Sequence, residues 1–382
     1  MDPVHLGDEH RLLRDQVRRF VEDEVLPHAD RWEAEGMVPR ATLRRMGELG
    51  FLGLRCPERF GGSAFDSVAA AVFAEELARS TYGGFTITVL VHTDMAMPHL
   101  WRAGSEEQMR RYLPRMIGGE LVSAIVVTEP GAGSDVQGIR TTARREGNGW
   151  VLNGSKVFIT NGVHGDLYVV AARTDPTAKP SRGMSMFLVE RATPGVRVVR
   201  ALEKMGWHCS DTAEILFEDA HLPADALLGE EGKGFYAIME NFQTERLAAA
   251  AIYVGEATRA IELTLDHVKT RRAFGGPLWD KQAIRLRLAM LAAQVEAGRQ
   301  LLYHAAWLDA QGRDCVKEVS MAKAWLGELV NEVMFACVQF HGGTGLMRGT
   351  AIERMARDAR VHTIGGGATE VMLEEVAKRM EA

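Results

Sequence analysis

The stretch LVSAIVVTEP, residues 121–130, separates two kinds of sequence pattern. Before it, apolar residues recur at helical spacing, so that Leu13, Val17 and Phe20 fall on one face of a helix. From Leu121 onward, short runs rich in β-branched residues alternate with turn-forming dipeptides, which is typical of β-strands. The sequence therefore predicts that a helical region gives way to a β-domain at about residue 121.

The helical region has predictable ends. Its first helix, over residues 10–25, should end at Pro27, because proline lacks a backbone donor and clashes inside a helix. Ser105 stands at the N-cap position of a helix over residues 106–117. Further helices are expected over residues 41–50 and 68–79.

The β-rich region contains the strand-like runs VFIT, LYVVAART, GMSMFLVE, VRVVR and AEILFED. Turns are expected at Asn148-Gly149 and Asn153-Gly154. Strands spaced in this way, without helices between them, favour a barrel or sandwich over a Rossmann unit.

Beyond the glycine-rich segment 229–235 the pattern becomes helical again. Long helices are predicted over residues 235–264, 281–311, 317–341 and 352–360, which suits an antiparallel bundle. The fold class is therefore α+β. We expect an N-terminal all-α domain over residues 1–120, a middle β-barrel or β-sandwich domain over 121–230 and a C-terminal helical bundle over 231–382.

Composition restricts the function. The net charge of −6 argues against a nucleic-acid partner, because binding phosphates requires a basic surface. The four cysteines are scattered without a CxxC pair, which indicates a reducing compartment and argues against a zinc site. No apolar run reaches the roughly 18–20 residues that span a bilayer, and the N-terminus lacks a signal-peptide core. We therefore expect a cytoplasmic protein with no metal and no membrane partner.

Glu245 stands out by its position in a helical stripe. Ile238, Phe242, Glu245, Ala249 and Ile252 fall on one face of a helix, and the other four are apolar. A buried carboxylate must be paired, neutralised or functional, because an unpaired buried charge is costly. From the stripe alone, a glutamate satisfied by a partner or lying at the stripe's edge remains open beside a general base, whose pKa burial would raise.

No other motif indicates a function by itself, but six motifs taken in their order along the chain do. The motifs are TEPGAGSD (128–135), VFITNG (157–162), DTAEILFEDAHLP (211–223), TRRAFG (270–275), QFHGGTG (339–345) and ARDARVHTIGGGATE (356–370). Over nearly the whole chain they resemble the acyl-CoA dehydrogenase family. The resemblance implies a C-terminal four-helix bundle, an FAD cofactor, an acyl-CoA substrate and an electron-transfer flavoprotein or similar acceptor. It also implies a homo-oligomer, usually a tetramer, with a dimer as the alternative.

The resemblance also implies which residues bind FAD. Thr128 and Ser134 match flavin-binding positions, and Phe158 and Thr160 match the aromatic cover of the flavin and the threonine beside its N5. The positions that match contacts to the adenine-nucleotide and pyrophosphate parts, including a neighbouring subunit's FAD, are Arg271, Phe274, Gln282, Gln339 and Gly343. Thr369 and Glu370 match contacts in the last loop, where Ala368 replaces a frequent threonine.

The last loop also bears on the catalytic base. Many family members carry a glutamate where this chain has Gly366, whereas long-chain and isovaleryl-CoA dehydrogenases carry theirs before an arginine on the first bundle helix. That position here is Glu245, followed by Arg246. The resemblance therefore implies Glu245 as the base, with Arg246, Ser134 and Gly366 at the substrate.

The implied reaction is oxidation of an acyl-CoA thioester to a trans-2-enoyl-CoA, with a slight preference for medium, long or branched chains. One alternative on the same fold is a flavin-dependent oxidase or monooxygenase. Another is a non-enzymatic flavin-holding relative, which the acidic charge balance disfavours.

Overall fold

The computed structural model describes residues 3–380 of the chain. Its N-terminal part consists of α1 (Asp8–Phe20), α2 (Leu26–Glu35), α3 (Arg40–Glu48), α4 (Ser67–Ala78), α5 (Gly83–Leu90), α6 (Met97–Ala103) and α7 (Glu106–Ile117). The N-cap prediction at Ser105 is confirmed, because its Oγ accepts the backbone N–H of Gln108 at 3.1 Å. Helices α5 and α6 were not predicted.

The predicted end of the first helix at Pro27 is wrong. A wide π-type turn over Val21–Val25 connects α1 directly to α2. Pro27 lies in the first turn of α2, where a missing backbone N–H removes no helical hydrogen bond. A second π-type turn, over Val91–Ala96, joins α5 to α6.

The middle part contains β1 (Ser123–Val126), β2 (Thr142–Glu146), β3 (Gly149–Thr160), β4 (Leu167–Arg173), β5 (Met184–Glu190), β6 (Val196–Ala201), β7 (Thr212–Leu222) and β8 (Leu227–Leu228). The strand order is β6-β7-β3-β2-β4-β5-β8, and β1 pairs in parallel with β4. The sheet curls over a buried core, because the rings of Trp150 on β3 and Phe187 on β5 lie 5.2 Å apart although β2 and β4 separate their strands. The predicted barrel-like or sandwich-like β-domain is confirmed.

One predicted turn is displaced by one residue, to Gly147-Asn148, and the other is wrong. The hairpin between β2 and β3 closes where Glu146 pairs with Gly149. Asn153-Gly154 instead lies inside β3, at a β-bulge where pairing with β7 shifts register. A bulge bends its strand and helps the sheet to curl.

The C-terminal part consists of α8 (Gly234–Thr270), the short hairpin β9 (Arg272–Ala273) and β10 (Gly276–Pro277), α9 (Gln282–Ala310), α10 (Val316–His341), α11 (Ala351–Ala359) and α12 (Thr369–Lys378). Helix α8 packs against α9 and α10 in the bundle and against α4 of the N-terminal part. It therefore lies where the two helical regions meet. Within residues 3–380, no helix is both long enough and apolar enough to cross a membrane.

Candidate active site

Glu245 lies on α8, next to the π-type turn that joins α5 to α6. Its stripe is buried as predicted, with Ile238 at 1% and Glu245 at 8% relative exposure. The Oε1 atom of Glu245 accepts a hydrogen bond of 2.9 Å from Nδ2 of Asn241, one turn earlier. Asn241 Nδ2 also lies 2.9 Å from the backbone oxygen of Met95 in the π-type turn. Glu245 is thus a buried carboxyl held by a neutral amide.

The surroundings of Glu245 raise the pKa of its carboxyl towards neutral pH. Burial raises the pKa of Glu245 to about 7, and the Asn241 hydrogen bond and the charges of Arg246 and Arg102 offset part of that rise. A carboxyl with a pKa near 7 exchanges protons readily at neutral pH, which is the property of an effective general base.

Two arginines that were not predicted from the sequence bind the neighbours of this carboxyl on α8, Asn241 and Thr244. Arg102 donates to Oδ1 of Asn241 and to Oγ1 of Thr244, both at 3.0 Å. Arg55 donates to the same Thr244 oxygen at 3.1 Å. Because Arg102 occupies the oxygen end of the Asn241 amide, the amide's NH₂ group is directed towards Glu245.

A narrow cavity adjoins Arg55, between residues 51–56, α4 and α6. Its walls include the apolar side chains of Phe51, Phe73 and Trp101, while Arg55 and Asp94 supply polar atoms. Burial raises the pKa of the Asp94 carboxyl, which accepts a hydrogen bond of 2.6 Å from the Thr93 hydroxyl. Its volume is about 10 Å³, and its lining includes Asp94 of the π-type turn but not Glu245.

The glycine loop before α12 lies close to Arg246. Gly366 and Gly367 have positive φ angles of 64° and 99°, a conformation that side chains resist. A Cβ atom at Gly367 would lie 4.0 Å from Nε of Arg246. Nε of Arg246 and Oγ1 of Thr369 are both buried and have no hydrogen-bond partner in residues 3–380. Such groups normally find a partner, and a bound molecule can supply one.

The predicted flavin residues of the β-domain come together at one end of β3. The backbone oxygen of Thr128 accepts the N–H of Val157 at 3.0 Å, so TEPGAGSD and VFITNG lie side by side. Phe158 is 69% exposed and has a φ of 62°. An exposed aromatic ring on strained backbone points to a ligand contact. Thr160 is half-buried at the end of β3, and Ser134 is exposed in its loop.

A buried ion pair, not predicted from the sequence, supports this region. Nζ of Lys156 lies 2.9 Å from Oε1 of Glu129 and 2.8 Å from the backbone oxygen of Val127. Glu129 also accepts the backbone N–H groups of Arg140 and Thr141. The TEPGAGSD loop is therefore anchored by its second residue.

The remaining predicted flavin residues lie at the far end of the bundle. They are Arg271, Phe274, Gln282, Gln339 and Gly343, and each is exposed. The rings of His267 on α8 and His341 on α10 stack 4.2 Å apart and hold the two helix ends together. Arg271 follows Glu245 by 26 residues (271 − 245), about 39 Å along a helix. One chain therefore does not bring this group to Glu245.

Models of all three domains of one family match the chain. The N-terminal, middle and C-terminal domains of acyl-CoA dehydrogenases match residues 7–120, 124–220 and 232–381. The chain belongs to the acyl-CoA dehydrogenase family. It is 43% identical to the mitochondrial long-chain specific acyl-CoA dehydrogenase of Sus scrofa, over 98% of this chain and 87% of that protein.

Solved structures agree with this assignment. An acyl-CoA dehydrogenase from Geobacillus kaustophilus superposes with a TM-score of 0.95 at 42% identity, covering 100% of both chains. The FAD complex of PigA superposes with a TM-score of 0.95 at 27% identity, covering 100% of this chain and 99% of that one. Members of the family are FAD-dependent oxidoreductases that act on acyl-CoA thioesters.

The residues present fit FAD. Gly131 and Gly133 in the TEPGAGSD loop have open space where a side chain would begin, so a ligand can approach their backbone. The exposed Phe158 ring and the unpartnered Thr369 hydroxyl supply an aromatic surface and a polar contact. Across residues 3–380, no group of three or more His, Cys, Asp or Glu side chains is placed to hold a metal ion.

Proposed function

We propose that this acyl-CoA dehydrogenase converts an acyl-CoA thioester to the trans-2-enoyl-CoA with Glu245 as the catalytic base. The supporting observation is the buried Glu245 carboxyl, whose pKa of about 7 matches a base that works at neutral pH. Gly366, where many relatives carry their glutamate, lies in the loop next to Arg246 and has no side chain to compete for that role.

The reaction removes two hydrogens from adjacent carbons of the acyl chain. The Glu245 carboxylate takes the proton from the α-carbon, and its burial excludes water that would otherwise stabilise the charged base. The N–H of Gly366 donates to the thioester oxygen and so stabilises the negative charge that develops there. Bound FAD supplies a hydride acceptor for the β-hydrogen. Arg246, next to the glycine loop, binds the CoA part, and Ser134 contacts substrate and flavin.

We assign the flavin end of FAD to Thr128, Ser134, Phe158 and Thr160, with Thr369 and Glu370 at the glycine loop. The distal group of Arg271, Phe274, Gln282, Gln339 and Gly343 would bind the FAD of a second copy, because Arg271, at the end of α8, lies about 39 Å from Glu245 along that helix. Phe274 is 93% exposed in the single chain, which suits a residue that a second copy covers. We therefore propose a homotetramer, with a dimer as the smaller alternative.

An acyl chain of medium to long length or with a branch is supported by the place of the proposed base on α8 and by the similarity to a long-chain specific relative. An electron-transfer flavoprotein or similar protein would reoxidise the flavin. The cytoplasmic location predicted from the sequence stays a prediction.

The test is anaerobic incubation of the FAD-loaded enzyme with acyl-CoAs of graded length and branching, followed by mass analysis. The proposal expects a product two hydrogens lighter with at least one medium, long or branched thioester. A flavin oxidase or monooxygenase would instead consume oxygen at the rate of turnover. Oxygen uptake that matches product formation in air, or the absence of a desaturated product from every thioester without air, would contradict the proposal.

A further inference from the structure

Lys323 is a fully buried lysine next to the glycine loop. It lies on α10 with 0% relative exposure. Its Nζ atom donates to the backbone oxygen of His362 at 3.1 Å and to the backbone oxygen of Gly367. These two carbonyl groups flank residues 363–366 of the loop, so a single side chain joins both of its ends.

The first of these ends is fixed by other groups as well. The hydroxyl of Tyr253 donates to the His362 backbone oxygen at 3.1 Å, and the His362 ring lies 2.7 Å from Glu256. His362 is therefore a rigid point to which Lys323 attaches the Gly367 end.

The loop between these ends needs such a connection. Gly365, Gly366 and Gly367 follow one another, and glycine loses more backbone freedom on being ordered than any other residue. Gly366 is exposed and has open space where a Cβ would be, so packing of a side chain does not fix it. The position of its N–H depends on what holds the loop's ends.

We propose that Lys323 is a positioning residue for the reaction: it closes the glycine loop and so holds the Gly366 N–H where the thioester oxygen binds. This inference rests on the proposed function, because it takes the loop to be the donor for that oxygen. A misplacement of about 1 Å in a catalytic group can lower a rate by about 10²-fold, so a tethered loop and a free loop should differ measurably.

The test compares Lys323→Met, which keeps the chain length and removes the donors, with Lys317→Met near the start of the same helix. The probe is a 3-oxoacyl-CoA, which loses its α-proton to give a visible enolate without being oxidised. With the loop untethered, we expect the pH midpoint of enolate formation to rise by about 1–2 units, a 10–100-fold loss of acidity. Hydrogen exchange of the peptide spanning residues 363–368 should accelerate, while Lys317→Met leaves both quantities unchanged.

FAD content and the thermal midpoint of each variant are also measured, because a general loss of structure would lower both. If Lys323→Met does not retain FAD, Lys323→Gln is measured, because its shorter and uncharged amide keeps two N–H donors and should give an intermediate midpoint. An unchanged enolate midpoint and unchanged loop exchange in any FAD-loaded Lys323 variant overturn the inference. If the wild-type enzyme neither binds the probe as enolate nor desaturates any acyl-CoA, the proposed function itself has failed.

Discussion

Nδ2 of Asn241 lies 2.9 Å from Oε1 of Glu245, one turn apart on α8. The other end of the same amide is bound to Arg102 at 3.0 Å. An amide held at its oxygen can present only its NH₂ group to the carboxylate. The three residues therefore form a chain in which an arginine orients an amide and the amide stabilises the ionised base.

Replacing Asn241 with leucine should raise the pKa of Glu245. The amide donates to the carboxylate, and a hydrogen bond to a charged group contributes about 1.5–3 kcal/mol, or about one to two pKa units. The rate of flavin reduction rises as the base ionises, so its pH profile should move up from a midpoint near 7. Gln300→Leu is a matched control, because Gln300 donates to Glu296 at 2.7 Å, one turn away on α9. If the pH profile of flavin reduction in Asn241→Leu matches that of wild type, the Asn241 amide does not stabilise the ionised Glu245 carboxylate.

Replacing Arg102 with methionine should shift the same profile in the same direction, because both its charge and its grip on Asn241 are lost. Since the two residues act through one contact, their effects should not add. The double variant Arg102→Met/Asn241→Leu should be closer to the stronger single variant than to the sum, with a coupling of about 0.5–3 kcal/mol. Strict additivity of the pH midpoints would mean that Arg102 acts by charge alone.

Glu245 should reduce the stability of the folded protein at alkaline pH. Its folded pKa of about 7 lies above the ordinary value of 4.5, so the stability tied to its proton is present below pH 4.5 and lost as the pH rises through 7. The amide that the variant Glu245→Gln carries in its place never ionises. We expect this variant to be more stable than wild type by about 3 kcal/mol at pH 8 and nearly equal at pH 4.5.

Thermal midpoints of wild type and Glu245→Gln, measured at several pH values, test this expectation. The difference between them should widen as the pH rises from 5 towards 8. A constant difference would show that the carboxyl does not retain its proton in the folded protein.

Breaking the buried ion pair between Lys156 and Glu129 should destabilise the β-domain and weaken FAD binding. Lys156→Met leaves a buried carboxylate without its cation, a change that costs about 3–5 kcal/mol, and loosens the TEPGAGSD loop. In contrast, Arg197→Met breaks an exposed pair with Glu218 and should cost less than about 1 kcal/mol. The affinity for FAD is measured from the fluorescence of the FAD that dissociates when the enzyme is diluted. Equal FAD affinity in the two variants would show that the ion pair does not support FAD binding.

The sequence predicted the features that depend on local periodicity. The Ser105 cap and the buried stripe containing Glu245 each lie within a few turns of one helix. Helix α5 was missed because all of its residues are buried, as Phe85 at 0% exposure illustrates, so it has no polar face to mark a period. Helix α6 has seven residues, too few to show a clear period. The predicted helix end at Pro27 was wrong because the π-type turn over Val21–Val25 lets a new helix begin at Leu26, with Pro27 in its first turn.

The site was only partly predictable for the same reason. Asn241 had a local signal, since it precedes Glu245 by one turn, and a polar residue there could have been noticed. Arg102 and Lys323 had none, because they reach the base and the glycine loop from other helices. Contacts between distant segments leave no period in the sequence, and only the assembled structure shows them.

The most direct test of the account is the anaerobic loss of flavin absorbance when acyl-CoA is mixed with wild type, Glu245→Gln and the control Glu240→Gln. Glu240 is an exposed glutamate on the same helix. We predict that Glu245→Gln keeps its yellow FAD spectrum but reduces its flavin at least about 10²-fold more slowly, the scale on which a general base contributes, while Glu240→Gln stays close to wild type. Near-normal flavin reduction in FAD-loaded Glu245→Gln would contradict the assignment of Glu245 as the base.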